Sequence, residues 1–226
     1  MFRVFDYTDA TRLFGEDFLS SHQPPQDKDR GPDPTPKERT IQVEGIDVHV
    51  TDAGRYIITD VDGKAMPVTV EEYKSRLAAQ LVSIAPTLEQ FRSVWVVPPE
   101  RHTLLEHLPD AGRSAALVRE LEEMKAYDLY DVLADLGYGL APKTRLDRAA
   151  SFEYKHSAWL GAMPPQTAGV LRALIGQFAK VGTDGLENPA VFQTQEVVAA
   201  GGLGALKRLG KPARVLKDTK VRMFAA

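Results

Sequence analysis

The sequence predicts a mainly α-helical protein with a small antiparallel β element, an α+β fold whose C-terminal part is a helical bundle-like domain. Apolar side chains recur at helical spacing in several segments, for example residues 113–125 and 129–136. Between residues 41 and 69, apolar runs typical of strands flank Asp62-Gly63, a dipeptide that favours a hairpin turn. Prolines crowd residues 24–36, which therefore cannot bury enough apolar area to fold.

Length and composition bound the possible functions. The 226 residues, 43% of them hydrophobic, suffice for one large domain or two small ones. The lack of cysteine excludes disulfides, thiolate zinc sites and thiol nucleophiles. No signal peptide is visible, and residues 197–206 form the longest weakly polar stretch, far short of the roughly 20 residues that span a bilayer. A soluble, cytoplasmic protein without a membrane partner is expected.

The N-terminal part contains a predicted strand with no evident neighbour. Residues 2–7 alternate apolar and polar side chains, as a strand does, and residues 11–18 suit a short helix. Because almost nothing precedes this strand, its sheet is expected to lie elsewhere, and the strand should be poorly paired in the isolated chain. Residues 1–19 are thus interpreted as a terminal strand and helix, followed by a proline-rich linker at residues 20–38.

Residues 39–70 are predicted to form a small β meander. One apolar run at residues 41–50 leads to a turn at residues 52–54, and a second run occupies residues 56–59. The Asp62-Gly63 turn and residues 66–69 would close the meander. Since the central runs are partly continuous, one face must be covered by another part of the protein.

Residues 71–226 are predicted to be a helical domain. Thr69 with Glu72, and Thr87 with Gln90, fit the capping box, in which each side chain accepts a hydrogen bond from the other residue's backbone. Further helices are predicted over residues 113–125, from residue 129 to a stop at Gly137, from Thr144 to about His156 and from Pro165 to Gly182. Another helix is predicted to begin after the Asn188-Pro189 cap, and two short basic helices, split near residues 210–212, are predicted to end the chain.

Positive charge is concentrated at the C-terminus. Residues 201–226 carry one acid, Asp218, and seven basic side chains, namely Lys207, Arg208, Lys211, Arg214, Lys217, Lys220 and Arg222. This segment therefore has a local charge of +6, although the net charge of the chain is −3. Contact with DNA phosphate or an acidic partner is one interpretation, and a frayed, solvated terminal helix is the other; both stay open. No aromatic residues interleave with the charges, so base recognition is not expected.

Catalytic, cofactor-binding and metal-binding motifs are not found in the sequence. Gly204 and Gly210 have the wrong spacing for a phosphate-binding loop. Pro109-Asp110 with Glu72-Tyr73-Lys74 or Glu153-Tyr154-Lys155 supplies the residue types of a restriction nuclease, but both tripeptides lie in predicted helices, where their Glu and Lys point about 200° apart. The five histidines lack the i, i+4 spacing of a helical zinc site.

Aromatic residues cluster in the middle of the helical part. Core packing is the expected role for most of them, and exposed members are candidate anchors for a partner, because Tyr and Trp dominate interface hot spots. The candidates are Tyr127, Tyr130, Tyr138 and Trp159.

Several blocks of the sequence resemble, in order, the C-terminal region of the R (restriction) subunit of type I restriction-modification enzymes of the EcoEI type. They are residues 2–14, 43–45, 62–64, 70–74, 85–91, 128–133, 138–139 and 144–149. The resemblance implies a part of an ATP- and Mg-dependent DNA translocase and nuclease that serves phage defence. It further implies that residues 1–19 remain from the preceding helicase lobe, and that the helical region docks on the modification core of M and S subunits. None of the family's catalytic residues matches a position here.

Three functions are therefore considered, in this order of preference. The first is an assembly region of an R subunit, binding the M and S subunits, with no catalytic site and no cofactor of its own. The second is a stand-alone nucleic-acid-binding adaptor that uses the basic C-terminal helices. The third is an enzyme with an unrecognised pocket.

Overall fold

The computed structural model describes residues 39–51, 54–61 and 64–225. The strand, short helix and linker predicted within residues 1–38 lie outside the described residues, as do the turn residues Asp52, Ala53, Asp62 and Gly63. The predicted mainly helical α+β fold is confirmed.

The β part is a four-stranded antiparallel sheet in the order β1-β2-β3-β4. Its strands are β1 (Arg39–Val43), β2 (Ile46–Thr51), β3 (Gly54–Val61) and β4 (Lys64–Thr69). Val61 pairs with Lys64, so the predicted hairpin around residues 62–63 is present. No turn was predicted within residues 41–50, but Glu44 and Gly45 both adopt positive φ (51° and 73°) and turn the chain into a hairpin.

The α-helices follow the sheet along the chain, and the first of them begins directly after β4. They are α1 (Val70–Ile84), α2 (Leu88–Trp95), α3 (Pro98–Glu106), α4 (Ser114–Leu121), α5 (Leu129–Tyr138), α6 (Arg145–Lys155), α7 (Ser157–Gly161), α8 (Pro165–Glu187), α9 (Gln195–Ala199), α10 (Gly202–Lys207) and α11 (Pro212–Ala225). Short 3₁₀ turns lie at Asp110–Gly112 and Pro189–Gln193. No helix among these described residues is long and apolar enough to cross a bilayer.

One hydrophobic core joins the sheet to the helices. Val48, Ile57 and Val68 lie side by side on three neighbouring strands and are buried. Helix α1 contributes Tyr73, Leu77 and Leu81 to the same cluster. The inner face of the sheet is therefore covered, as the partly continuous apolar runs required.

Both predicted capping boxes are present. Thr69 and Glu72 exchange side-chain and backbone hydrogen bonds at the start of α1, and Thr87 and Gln90 do so at α2. Thr144 caps α6, which ends at Lys155 as expected. These signals are local, which is why the sequence reveals them.

The end of α5 was predicted wrongly. The helix continues through Gly137 to Tyr138, and the following Gly139 adopts the left-handed conformation (φ 64°) that closes a helix. Gly137 is needed for packing instead, because a Cβ there would lie 2.8 Å from Cδ2 of Leu81 in α1. The close approach of α1 and α5 thus depends on a glycine that the sequence alone indicates as a stop.

Helix α8 is interrupted at Gly182, where the sequence predicts its end, but it continues to Glu187. Gly182 has φ 77° and ψ −168°, and the chain resumes helical structure at Thr183. The carboxylate of buried Asp128 accepts hydrogen bonds from the backbone N–H of Thr183 (2.8 Å) and from Oγ1 of Thr183 (3.0 Å). It also caps α5 by accepting from the N–H of Tyr130 (3.0 Å). One carboxylate therefore holds two helix starts, and burial raises its pKa.

We expect Gly182→Ala to destabilise the protein by about 1–3 kcal/mol or more. The backbone conformation at Gly182 is almost restricted to glycine, and an added Cβ would lie 2.8 Å from Oδ2 of Asp128. Gly176→Ala in the same helix is the matched control, because Gly176 is exposed with open space around it and should gain up to about 1 kcal/mol. Urea unfolding measures both, and equal stabilities of the two variants would contradict the prediction.

Candidate functional site

The C-terminal helix α11 is fixed to the body of the protein through its last carbonyl groups. The hydroxyl of Tyr130 donates to the carbonyl of Phe224 (3.3 Å), and Nη1 of Arg148 donates to that of Met223 (3.1 Å). Nε2 of His156 lies 3.2 Å from the carbonyl of Arg222. These carbonyls have no partner within the helix, and side chains from α5 and α6 satisfy them. Helix α11 is therefore an integral part of the fold, which argues against the frayed helix that the sequence left open.

Buried ionic groups surround this attachment. Arg148 and Asp131 form a salt bridge with both side chains at most 2% exposed, and Nε of Arg148 lies 2.9 Å from Oδ2 of Asp131. The guanidinium also lies over the rings of Tyr130 (4.9 Å) and Phe224 (5.4 Å). Since Asp131 further accepts from the N–H of Lys143 (3.0 Å), the buried charge is well compensated.

A second ionic cluster joins α3, α8 and α11. Nη1 and Nη2 of buried Arg101 donate to the two carboxylate oxygens of Glu187 (2.8 and 2.6 Å), and Lys220 donates to the same carboxylate. Burial would raise the pKa of Glu187, but these hydrogen bonds outweigh it and hold the pKa below its usual value. Lys220 is only 4% exposed. It therefore does not belong to the exposed basic surface predicted from the sequence.

The remaining predicted basic residues differ in exposure. Five are exposed on α10, α11 and the turn between them and form what we call the basic ridge, defined as Lys207, Arg208, Lys211, Arg214 and Lys217. Nη1 of Arg208 donates to Oε1 of Gln166 (2.6 Å), which fixes one end of the ridge. Arg222 is half-buried, with its guanidinium 4.5 Å from the ring centre of Trp159.

An open apolar hollow adjoins the ridge. This apolar groove, of about 390 Å³, is lined chiefly by Val97, Pro98, Leu186, Phe192, Ala213 and Leu216, with Lys217 at its rim. It lies between the start of α3, the end of α8 with the following 3₁₀ turn, and α11. These residues were not predicted from the sequence, because the groove combines three segments that are far apart along the chain. No local pattern indicates such a surface.

Comparison with protein families identifies the chain. A family model described as EcoEI R protein C-terminal matches residues 71–218. The chain belongs to this family. It is thus a C-terminal region of the R subunit of a type I restriction enzyme, as the sequence resemblance implied. No curated protein and no solved structure matches the chain.

The matched residues of this EcoEI-family chain include most of the candidate surface. The match runs from the first turn of α1 into α11 and includes the whole basic ridge. It also contains every residue that lines the apolar groove except Lys220. The four-stranded sheet at residues 39–69 lies outside the match.

In this EcoEI-family chain, Glu72, Lys74 and Asp110, which belong to the nuclease-like set, form a helix cap, an ion pair and hydrogen bonds that stabilise the fold. Glu72 belongs to the capping box of α1, and Lys74 pairs with Glu122 (3.1 Å). Asp110 accepts hydrogen bonds from Tyr73 and from Thr59 (3.1 Å), linking the sheet to α1. Both tripeptides lie in helices, as predicted. Within residues 39–51, 54–61 and 64–225, no group of three or more His, Asp or Glu side chains could hold a metal ion.

The predicted aromatic anchors are largely internal. Tyr130 is fully buried, and Tyr138 is half-buried with its hydroxyl donating to the carbonyl of Ala85 (2.6 Å). Tyr127 is half-buried against the core, and half-buried Trp159 carries Arg222 over its ring. Tyr130 is therefore unavailable to a partner. Tyr154, which was not among the predicted partner anchors, is 85% exposed on α6.

A small polar cavity lies beside the helix break at Gly182. Trp95, Arg119 and Arg145 are among the residues that line it, and each has a buried side-chain nitrogen without a hydrogen-bond partner (Nε1 of Trp95 and Nε of the two arginines). Its volume of about 30 Å³ suits water rather than a substrate. This cavity therefore gives little support to the third hypothesis, an enzyme with an unrecognised pocket.

Proposed function

We propose that this chain attaches the R subunit of a type I restriction enzyme to the modification core formed by the M and S subunits. In this proposal it is an assembly region without a catalytic site or cofactor of its own, and ATP and Mg act elsewhere in the complete subunit. The complete complex would translocate and cleave DNA in the cytoplasm, in defence against phage. Family membership supports the context, and the surface around α11 supports a docking role.

One observation carries the proposal: a firmly packed terminal helix presents a basic ridge and an apolar groove side by side. Stable protein interfaces combine an apolar centre with a polar rim. Because α11 is attached through the carbonyls of Arg222, Met223 and Phe224, its exposed side is rigid before a partner binds. A rigid surface loses less conformational entropy on association than a flexible tail.

The proposal predicts that the chain and the cognate M–S core comigrate in sedimentation velocity at low and at moderate salt. Apolar contacts persist when salt screens charge, so moderate salt should weaken the complex without abolishing it. Failure to comigrate at either salt, with the chain folded by circular dichroism, would remove the assembly role.

We expect charge reversal on the ridge to act mainly through the association rate. Lys207→Glu combined with Lys211→Glu should slow association at low salt by about tenfold and reduce its salt dependence, because charges at an interface rim steer the encounter. Lys64→Glu combined with Lys155→Glu reverses two exposed lysines that are not part of the ridge and should change little. Surface plasmon resonance compares the pairs, and equal association rates would show that the ridge is not part of the interface.

DNA binding by the ridge is the second candidate. Five exposed cations on adjacent helices could neutralise phosphates, and each such contact adds a slope of about −0.9 to the logarithmic dependence of affinity on salt. In that case the chain binds duplex DNA without the M–S core, and binding is lost steeply as salt rises. The same ridge variants would then reduce the slope.

A further inference from the structure

The walls of the apolar groove favour a protein segment over a small polar ligand. Val97, Pro98, Phe192, Ala213 and Leu216 offer hydrocarbon surface. The charged groups within the groove are Glu187 and Lys220, and the carboxylate of Glu187 accepts hydrogen bonds from both Lys220 and Arg101. Small-molecule sites place several polar groups toward the ligand. Here the polar groups are already paired, so recognition would depend on apolar contact and on charge at the rim.

The spacing along α11 suits a helical occupant. Ala213, Leu216, Lys217 and Lys220 follow the i, i+3, i+4, i+7 pattern, so this side of α11 forms one wall of the groove. A wall made by a helix accepts the apolar row of a second helix by interdigitation of side chains. Ala213, a small and exposed residue in the first turn of α11, is part of this wall.

The positive charge at the rim favours an occupant with negatively charged side chains. Lys217 lies at the rim, Arg214 is one turn earlier, and Lys211 precedes the helix; all three are exposed. Asp218 is the single acid between residues 201 and 226. Carboxylates on the occupant would therefore face cations, whereas nucleic acid would have no apolar group for the groove, and a second α11 would bring like charge.

We propose that the apolar groove binds an acidic amphipathic helix of the modification core, with its apolar row against Val97, Phe192 and Leu216 and its carboxylates toward Arg214 and Lys217. This inference rests on the proposed assembly function, but it concerns one surface and one partner chemistry. It therefore makes predictions that the assembly function alone does not make.

The test uses three fluorescein-labelled helical peptides and fluorescence anisotropy. The first peptide carries Leu at i, i+3, i+4 and i+7 with Glu on the flanking positions; the second replaces every Glu by Lys, and the third replaces every Leu by Ser. The complete chain should bind the first peptide at least about tenfold more tightly than either of the others. Equal binding of the first two peptides would overturn the proposed charge selection, and equal binding of the first and third would overturn the apolar groove as the site.

Two variants locate the binding on the groove. Ala213→Trp fills the groove from an exposed position, and Lys217→Glu reverses the rim charge. Each variant should lower the affinity for the first peptide by about tenfold. Ala150→Trp and Lys155→Glu are matched controls on the exposed side of α6 and should bind as the unaltered chain does. Unchanged far-ultraviolet circular dichroism excludes unfolding as the cause. Full affinity in both groove variants would overturn the inference.

A parallel titration with the M–S core separates the two proposals. Peptide binding without core binding would leave the groove inference standing and remove the assembly function. Core binding without peptide selectivity, and with undiminished core affinity in Ala213→Trp, would retain the function and remove the groove. A dimer of the chain alone that Ala213→Trp abolishes would assign the groove to a second copy, contrary to our inference.

Discussion

Arg148→Ala is expected to lower the free energy of unfolding by about 3–5 kcal/mol, because it leaves a buried carboxylate without its cation. Asp131 has no exposed side-chain surface, and Arg148 is its ion-pair partner. The substitution also removes the donor to the carbonyl of Met223 and the cation over Tyr130 and Phe224. The loss should therefore affect both the attachment of α6 to α5 and that of α11. Urea unfolding followed by circular dichroism measures it.

Arg172→Ala is the matched control for this prediction. Arg172 also pairs with a carboxylate, that of Glu153 at 3.6 Å, but both side chains are half exposed. Surface pairs of this kind contribute about 0–1 kcal/mol, so Arg172→Ala should have a small effect. If both arginine variants lost the same stability, burial of the Asp131 charge would not be the cause. The double variant Asp131→Leu, Arg148→Met should regain part of the loss, because it removes both charges together.

Phe224→Ala is expected to cost about 3–5 kcal/mol and to loosen α11 from the protein. Phe224 is 1% exposed, with its ring 4.4 Å from that of Tyr130 and 6.0 Å from that of Phe178. Removing the ring leaves a cavity between α5, α8 and α11 and takes the aromatic face away from Arg148. Loosening of α11 would also disrupt the groove and the ridge, so affinity for the M–S core should fall with stability.

Val221→Ala on the same helix provides the comparison for Phe224→Ala. Val221 is 42% exposed, so shortening it should change stability by about 0.5 kcal/mol or less. Limited proteolysis with trypsin reports on α11 directly, because Arg214 and Lys217 lie within the helix and are cleavable only when it opens. Early cleavage there is expected in Phe224→Ala and not in Val221→Ala. Equal cleavage rates in the two variants would contradict the packing role of Phe224.

The family and the main features of the fold could be predicted from sequence. The capping boxes at Thr69 and Thr87 each depend on two residues three positions apart, so a short stretch of sequence contains everything that forms them. The hairpin at Asp62-Gly63 and the helix break at Gly182 have equally local causes. Short-range interactions of this kind act before tertiary contacts form, and they survive in the final structure.

Other predictions were wrong where tertiary packing determines which of several possible turns or helix ends forms. Gly137 and Gly139 are both plausible stops, and the contact of Gly137 with Leu81 in α1 decides in favour of Gly139. The Glu44-Gly45 turn was missed because Glu is not a usual turn residue, although pairing of β1 with β2 holds it at positive φ.

The sequence by itself determined the helical class, the small antiparallel sheet, the basic C-terminus and the resemblance to the R subunit. Only the tertiary structure decided which basic residues are exposed: Lys217 and Lys220 are one turn apart on the same helix, yet Glu187 of α8 draws Lys220 inward while Lys217 stays at the rim. The groove was likewise decided by the fold, since it joins residues near 97, 192 and 213. Burial and proximity depend on contacts between distant segments, which no local pattern contains.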